Sequence, residues 1–463
     1  MSLWFNCVLV VTVLLVPTAI ALSIPTTMVP VWLALLIFAV LLIKLLLFRT
    51  RDFLYASLLC FFYIFMILAP LLQMMNGTFP WIDFYDEDSI EMAWWITAMA
   101  LLFFEIGYLL FKELSLYKAP RKSIETNSLE LNTHGGLVLF LAAIACTAVA
   151  LAFNGIDNLF LPRNEVALIL DDKFEGSSPI QAILKSFMRV PPTVILLIFI
   201  YDAYKRFLNK TPHWFNTNTL FMLTLGLTVA VVNNPISTAR FWVGAIFFST
   251  LLLLLCLRDR KSAFFWFAFN LSIVVVVFPL SDIYRKQLDF NPLVDKLEVD
   301  PTRELIVSPD FDAFQQQMNT TIVVDDHGFL YGKQFMSSIL FFVPRLVWPD
   351  KAEPTGRYLA ESLNYRFGNL STPLMAEFYI DWGFPGVTLG MLLLGMMYHF
   401  LYFSAQRRTL LLTVFYCFMS AYQFYLLRGS LMTVTNYMLV ALATILIIQY
   451  FSSYMFKQSS QPI

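Results

Sequence analysis

Two arginines stand where a permanent charge is hardest to keep. Arg240 ends Ser237-Thr238-Ala239-Arg240 at the head of an apolar block, just after the turn Asn233-Asn234-Pro235. Arg428 sits in Leu427-Arg428-Gly429-Ser430 between two other such blocks. A charge beside hydrocarbon is costly and needs a partner or a task. Arg163 (in Leu161-Pro162-Arg163-Asn164), Arg189, Arg345, Arg357 and Arg366 share the same side of the chain's charge pattern. A guanidinium is always charged, and its planar fork matches phosphate oxygens two at a time. Arginines gathered at one head-group level would suit a pyrophosphate whose lipid tail stays in the bilayer. For any single arginine, reaching a lipid phosphate or pairing with an acid of its own loop is the simpler account. Arg240 and Arg428 favour a ligand, because each is held in a short turn against two blocks.

A group that deprotonates an acceptor hydroxyl would complete such a site. Glu377, in Ala376-Glu377-Phe378-Tyr379-Ile380-Asp381-Trp382-Gly383, lies at an apolar boundary where an unpaired carboxylate is expensive, so a cationic partner is expected. Asp325-Asp326-His327 is the other candidate, and a solvated turn is its plainer reading. Asp86-Glu87-Asp88 fits a weak pattern for a divalent cation held with a phosphate. No phosphate-binding P-loop, serine elbow, HExxH or Cys/His cluster is present, so nothing in the sequence points to ATP-driven transport, zinc hydrolysis or any cofactor.

The elements that must hold these residues are apolar. Of 463 residues 59% are hydrophobic and only 14% charged, with a mean hydropathy of +0.69. Twelve blocks of membrane-crossing character follow: 3–22, 31–48, 53–72, 92–110, 136–153, 187–201, 216–232, 241–257, 263–280, 384–403, 410–427 and 431–456. The expectation is an all-α integral membrane protein. Residues 1–280 form nine helices with short loops, 281–379 form one large external loop, and 380–463 form helices ten to twelve with a short tail. Five cysteines lie within or at the ends of the blocks and read as small apolar residues.

Basic residues alternate between sides. Arg49 and Arg51, Lys112 to Lys122, Lys205 to Lys210, Arg258 to Lys261, Arg407 and Arg408, and Lys457 fall on one side, whereas the loops 23–30 and 76–89 have no Lys or Arg. By the positive-inside rule both termini are cytoplasmic. The long loop is acidic in front, with ten acids against four bases over 282–326, and basic behind, with five bases against three acids over 333–366. Between these, 334–347 reads as an interfacial or re-entrant helix. Lys44 and Glu105 lie inside blocks near the cytoplasmic ends and are expected to pair or snorkel.

Phe342-Val343-Pro344-Arg345-Leu346-Val347-Trp348-Pro349-Asp350-Lys351 resembles the Pro-Arg…Trp-Pro-Asp-Lys segment in the long periplasmic loop of Wzy-type oligosaccharide repeat-unit polymerases. Ala376 to Val387, Ser237-Thr238-Ala239-Arg240 and the Arg428-Gly429 turn resemble other segments of that family. The resemblance runs from about Thr219 to Leu431, and the N-terminal third agrees only in hydropathy. It implies a bundle similar to GT-C enzymes in a bacterial inner membrane. It implies a metal-independent inverting glycosyltransferase that moves a growing glycan from undecaprenyl pyrophosphate onto a lipid-linked repeat unit, making O-antigen, common-antigen or exopolysaccharide chains. A flippase and a chain-length regulator are the implied partners, beside membrane lipids, and nucleic acid is not. In that frame Arg240, Arg428, Glu377 and His327 would serve catalysis, and Arg345, Lys351, Arg357, Arg163 and Arg366 would hold substrate.

An O-antigen ligase shares the architecture and typically has a histidine in the long loop, of which His327 is a faint echo. A flippase for the same lipid would show paired halves and charges at the midplane, whereas here the halves differ and charge gathers at the interfaces. A non-catalytic envelope component with the loop as docking surface is the third alternative.

Overall fold

The computed structural model describes residues 3–24, 28–47, 51–81, 85–118, 129–161, 165–166, 169, 178–209, 216–258, 263–277, 301–368, 370–406 and 410–458. The bundle begins with α1 (Leu3–Ser23), α2 (Val29–Leu47), α3 (Phe53–Asn76), α4 (Glu87–Lys118), α5 (Thr133–Asn154) and α6 (Ser178–Leu208). It continues with α7 (Thr217–Val232), α8 (Arg240–Arg258) and α9 (Ala263–Ser272), the last running on as a π-helical segment, Ile273–Val277. The long loop contributes α10 (Pro301–Val307), α11 (Ala313–His327), α12 (Lys333–Ile339) and α13 (Thr355–Ser362). The chain then returns through α14 (Leu374–Gln406), α15 (Leu410–Arg428) and α16 (Leu431–Tyr450). Eight of these helices are long and apolar enough to cross a membrane, and four shorter apolar ones, in α1, α7, α8 and α9, complete the twelve expected blocks. The chain is a multi-pass membrane protein.

Local sequence accounts for many helix ends. The Asp52 carboxylate accepts the Tyr55 N–H at 3.1 Å and starts α3, and Asn132 accepts the Gly135 N–H at 2.6 Å and starts α5. Asn216 and Thr219 form a reciprocal capping box at α7. Helices α4 and α14 run against each other with almost no side chain between them at two points. A Cβ on Gly107 would meet the Leu392 carbonyl at 2.0 Å, and one on Gly395 would meet the Phe104 carbonyl at 2.0 Å. Small residues that let backbones touch are the usual device where lipid gives no hydrophobic drive between helices. Lys44 and Glu105 do pair, and the Tyr55 hydroxyl donates to the other Glu105 oxygen at 2.8 Å.

Contacts sort the connections onto two sides. The strand Leu129–Leu131 pairs antiparallel with Phe456–Gln458 of the tail, so the α4–α5 connection and the C-terminus share one side. On the other, the α3–α4 connection meets the long loop, with the Trp81 N–H donating to the Gln315 side chain at 3.1 Å. This grouping agrees with the alternation of basic residues.

Two expectations about the long loop change. Helix α11, assigned to the acidic front of the loop, is buried along most of its length among the spans, with Gln315, Gln316, Gln317, Asn319 and Thr320 fully covered. The segment 334–347 is not one helix: α12 stops at Ile339 and turns carry the chain to Trp348. Helix α14 begins ten residues before the expected block. Its first part, Leu374 to Asp381, is buried, and it kinks at Gly383, whose φ of 62° favours glycine. Residues 281–300 lie outside the described ones.

Candidate functional site

The turn from Asn233 to Phe241 is rigid by its own chemistry. The Asn234 side-chain oxygen accepts the N–H groups of Ile236 (3.0 Å) and Ser237 (3.2 Å), and its amide donates to the Leu159 carbonyl at 2.7 Å. Asn233 accepts the Trp242 indole N–H at 2.8 Å, fastening the start of α8. Two arginines converge on this turn from other helices. Arg189 of α6 donates from Nη2 to the Thr238 hydroxyl at 3.3 Å. Arg428, the last residue of α15, lies over the Phe241 ring at 5.3 Å. Phe241 is the neighbour of Arg240, whose backbone opens α8 and whose side chain lies outside the described residues.

Arg428 is clamped from the loop. Its Nη2 donates to the Pro309 carbonyl at 2.7 Å and to Asp312 Oδ1 at 3.1 Å. Asp312 is 1% exposed and fully engaged. It also accepts from Ser371 (2.5 Å), the Trp81 indole (2.8 Å) and Gln316 (3.4 Å). The backbone of the Arg428 turn is held as firmly. Its carbonyl accepts the Thr372 N–H at 2.9 Å, and Glu377 Oε1 accepts the Leu431 N–H at 2.7 Å. Glu377 Oε2 accepts the Thr355 hydroxyl at 2.5 Å, and the Thr355 N–H donates to Ser430 at 3.1 Å. The partners of Glu377 thus include the Thr355 and Ser430 hydroxyls and a backbone N–H, in the place where a cation was expected. Both oxygens serve to hold the turn.

Around this turn, polar atoms are buried without a hydrogen-bond partner among the described residues: Arg189 Nε, Ser237 Oγ, Thr372 Oγ1 and Arg428 Nε. Each such group costs about 1–3 kcal/mol when left unpaired, so their grouping here calls for an account. All four can donate, and two belong to permanent cations. The arrangement therefore suits an anion with several oxygens.

Helix α11, which follows Asp312, carries a seam of buried uncharged polar side chains. Gln317 donates to the Ala93 carbonyl (2.6 Å) and the Thr97 hydroxyl (3.0 Å). Asn319 donates to the Tyr365 hydroxyl at 2.9 Å and accepts from Tyr85 at 2.7 Å. Burial raises the pKa of the Tyr85 phenol, and Tyr365 raises it further, so both remain neutral donors. At the edge, Trp81 stacks on the exposed Phe367 ring at 5.8 Å and meets Tyr365 edge-on at 6.1 Å, beside exposed Arg366. Sequence reasoning passed over Asp312 and this polar seam. The available signal was that residues 313–324 carry no charge inside an otherwise acidic loop.

The cations of the Pro-Arg…Lys segment are spent differently. Lys351, 4% exposed, donates its amine to the carbonyls of Leu340 (3.0 Å), Phe341 (2.7 Å) and Val343 (2.9 Å). Burial lowers its pKa, and the nearby Arg345 lowers it further. Arg345 donates to the carbonyls of Lys351 (2.7 Å) and Ala352 (3.0 Å) and pairs with Glu353 at 2.7 Å. Arg357 is exposed and pairs with Glu361 at 2.8 Å. His327, Asp325 and Asp326 are exposed at the end of α11, and Asp86, Glu87 and Asp88 are exposed at the start of α4. Arg163 lies outside the described residues. The structure thus groups Arg428, Arg189 and the Arg240 backbone, and builds Arg345 and Lys351 into a separate staple.

Residues 313–459 match the family model described as O-antigen polysaccharide polymerase Wzy. This segment is similar to that family. The match takes in α11, the staple, Glu377 and Arg428, and it supports an O-antigen polymerase role in general terms. Among curated proteins none matches the chain. Among solved structures none matches it either, so the GT-C likeness rests on the sequence resemblance alone.

Proposed function

We propose that the chain is an inverting glycosyltransferase that polymerises undecaprenyl-pyrophosphate-linked oligosaccharide repeat units at the periplasmic face of a bacterial inner membrane, with both termini cytoplasmic. An acceptor sugar hydroxyl attacks the anomeric carbon of the donor glycan. A glycosidic C–O bond forms, the C–O bond to pyrophosphate breaks, and the lipid pyrophosphate leaves with the electron pair while the hydroxyl proton passes to a base. The observation that carries the reading is the set of donors around the Ser237–Phe241 turn that have no partner among the described residues, with Arg189 bonded to Thr238 and Arg428 lying over Phe241.

Arg428, Arg189 and Arg240 bind the pyrophosphate and stabilise its growing charge, the kind of preorganised electrostatics worth about 10²–10³ in rate per donor. Asp312 orients Arg428 and keeps its charge from being buried alone. Glu377 acts as a positioning residue for the Arg428 turn. The Trp81–Phe367 stack and Tyr365 offer ring faces to a sugar beside the anion site. The test is the surface polysaccharide of a deletion strain complemented with variants. Wild-type protein should restore a ladder of long chains, and Arg428→Ala, at equal protein level, should leave single repeat units. Long chains with Arg428→Ala would sink the assignment, and bare core in the deletion strain would favour a ligase.

A further inference from the structure

Helices α12 and α13 belong to the same loop and carry opposite polarity. On α13, Arg357 and Glu361 are exposed while Leu359 and Ala360 are buried, the order expected of a helix that faces water. On α12 the order is reversed. Gln334, Ser337 and Ser338 are buried, whereas Met336 and Ile339 are exposed. The exposed apolar face runs on into the turn that follows, through Phe342, then Leu346 at 94% and Val347 at 73% exposure. Lys333 and Asp350 bracket this ridge in sequence and are the exposed charged residues of 333–352.

We infer that α12 and the turn to Val347 lie in the edge of the bilayer, with their apolar side against lipid acyl chains, while α13 stays in water. Position supports this. A Cβ on Gly332 would meet the Trp382 ring at 2.7 Å, and Phe335 meets that ring edge-on at 5.5 Å. Trp382 stands just before the apolar run of α14, whose Leu389 and Leu393 are exposed, and tryptophan favours this level of a span. The backbone supports it independently. Irregular chain beside hydrocarbon must satisfy its own polar groups. Lys351 and Arg345 together cover the carbonyls of Leu340, Phe341, Val343, Lys351 and Ala352. The N–H groups of Leu340, Val343, Val347 and Trp348 donate within the segment, the Ala352 N–H donates to Ser337 at 3.1 Å, and Pro344 and Pro349 have none to place. A turn in water would need no such covering. The staple thus lets an irregular turn sit against lipid, and the Thr355 N–H, bonded to Ser430, links the anchored segment to the Arg428 turn. The anchor stands whether or not the chain is a polymerase.

The experiment attaches a nitroxide to Leu346→Cys, Val347→Cys or Glu361→Cys in the full chain, reconstituted as single copies in lipid nanodiscs. Wild-type protein labelled in parallel supplies the signal of the native cysteines, which is subtracted. Electron paramagnetic resonance reads collisions with oxygen, which concentrates in hydrocarbon, and with a water-soluble nickel chelate. At Leu346→Cys and Val347→Cys, oxygen collisions should exceed chelate collisions, and at Glu361→Cys the order should reverse. If Leu346→Cys fails to assemble, Val347→Cys decides alone. Chelate collisions that dominate at the deciding position overturn the insertion. Weak collisions with both reagents, the mark of a site covered by protein, overturn it as well. Oxygen dominating at Glu361→Cys would remove the contrast between α12 and α13 and overturn the boundary drawn between them.

Discussion

The Arg428 centre and the Arg345–Lys351 staple are built from the same residue types, and they spend them in opposite ways. In the staple, all three N–H groups of Lys351 go to carbonyls of one turn, and Arg345 closes on two more carbonyls and Glu353. In the centre, Arg428 gives Nη2 to the loop and keeps Nε buried without a partner among the described residues, as Arg189 does nearby. A cation whose donors are all taken by backbone is a fastener. One that is fixed on one side and unsatisfied on the other is a binding group. Motif resemblance drew attention to both, and only hydrogen-bond accounting separates them.

The contrast can be broken in graded ways. The largest effect is expected for Arg428→Lys, which keeps the charge but loses the fork. Polymer should fall by about 10²-fold or more at unchanged protein level, read by chain growth per protein. Asp312→Asn should come next, lowering chain growth severalfold to tenfold, because Arg428 keeps its contact to the Pro309 carbonyl while losing its charged partner. Lys351→Met should act on the other side of the comparison. It leaves three carbonyls without their donor and should lower the unfolding temperature or protein yield, by about 1–3 kcal/mol, while activity per folded molecule changes little. Arg357→Ala should be smallest. Its ion pairs are exposed, so stability should move by less than about 1 kcal/mol and the ladder should stay as in wild type.

Much of the frame was legible in the sequence because membrane spans are written in block length and composition, and loop charge alternates with side. The junctions were harder to read. Glu377 looked like a base awaiting a cation because a lone buried carboxylate is expensive, and the sequence could not show that Thr355, Ser430 and the Leu431 N–H would satisfy it. Helix α11 looked like loop because its acids lie at its flanks, while its middle was polar without being charged. Such a run belongs inside a bundle only when every amide finds a partner, and those partners, Tyr85, Trp81 and Thr97, come from residues more than 200 positions away. Arg428 and Arg240 were visible as charges in short turns against apolar blocks. Their grouping with Arg189 depends on how α6, α8 and α15 pack.

The most direct test of the central claim is chain growth by the purified protein in lipid nanodiscs, given lipid-linked repeat units as donor and acceptor. Wild type should build a ladder and release undecaprenyl pyrophosphate, and Arg428→Lys, folded to the same unfolding temperature, should do neither. A variant that elongates like wild type, or a wild type that never elongates, would contradict the account.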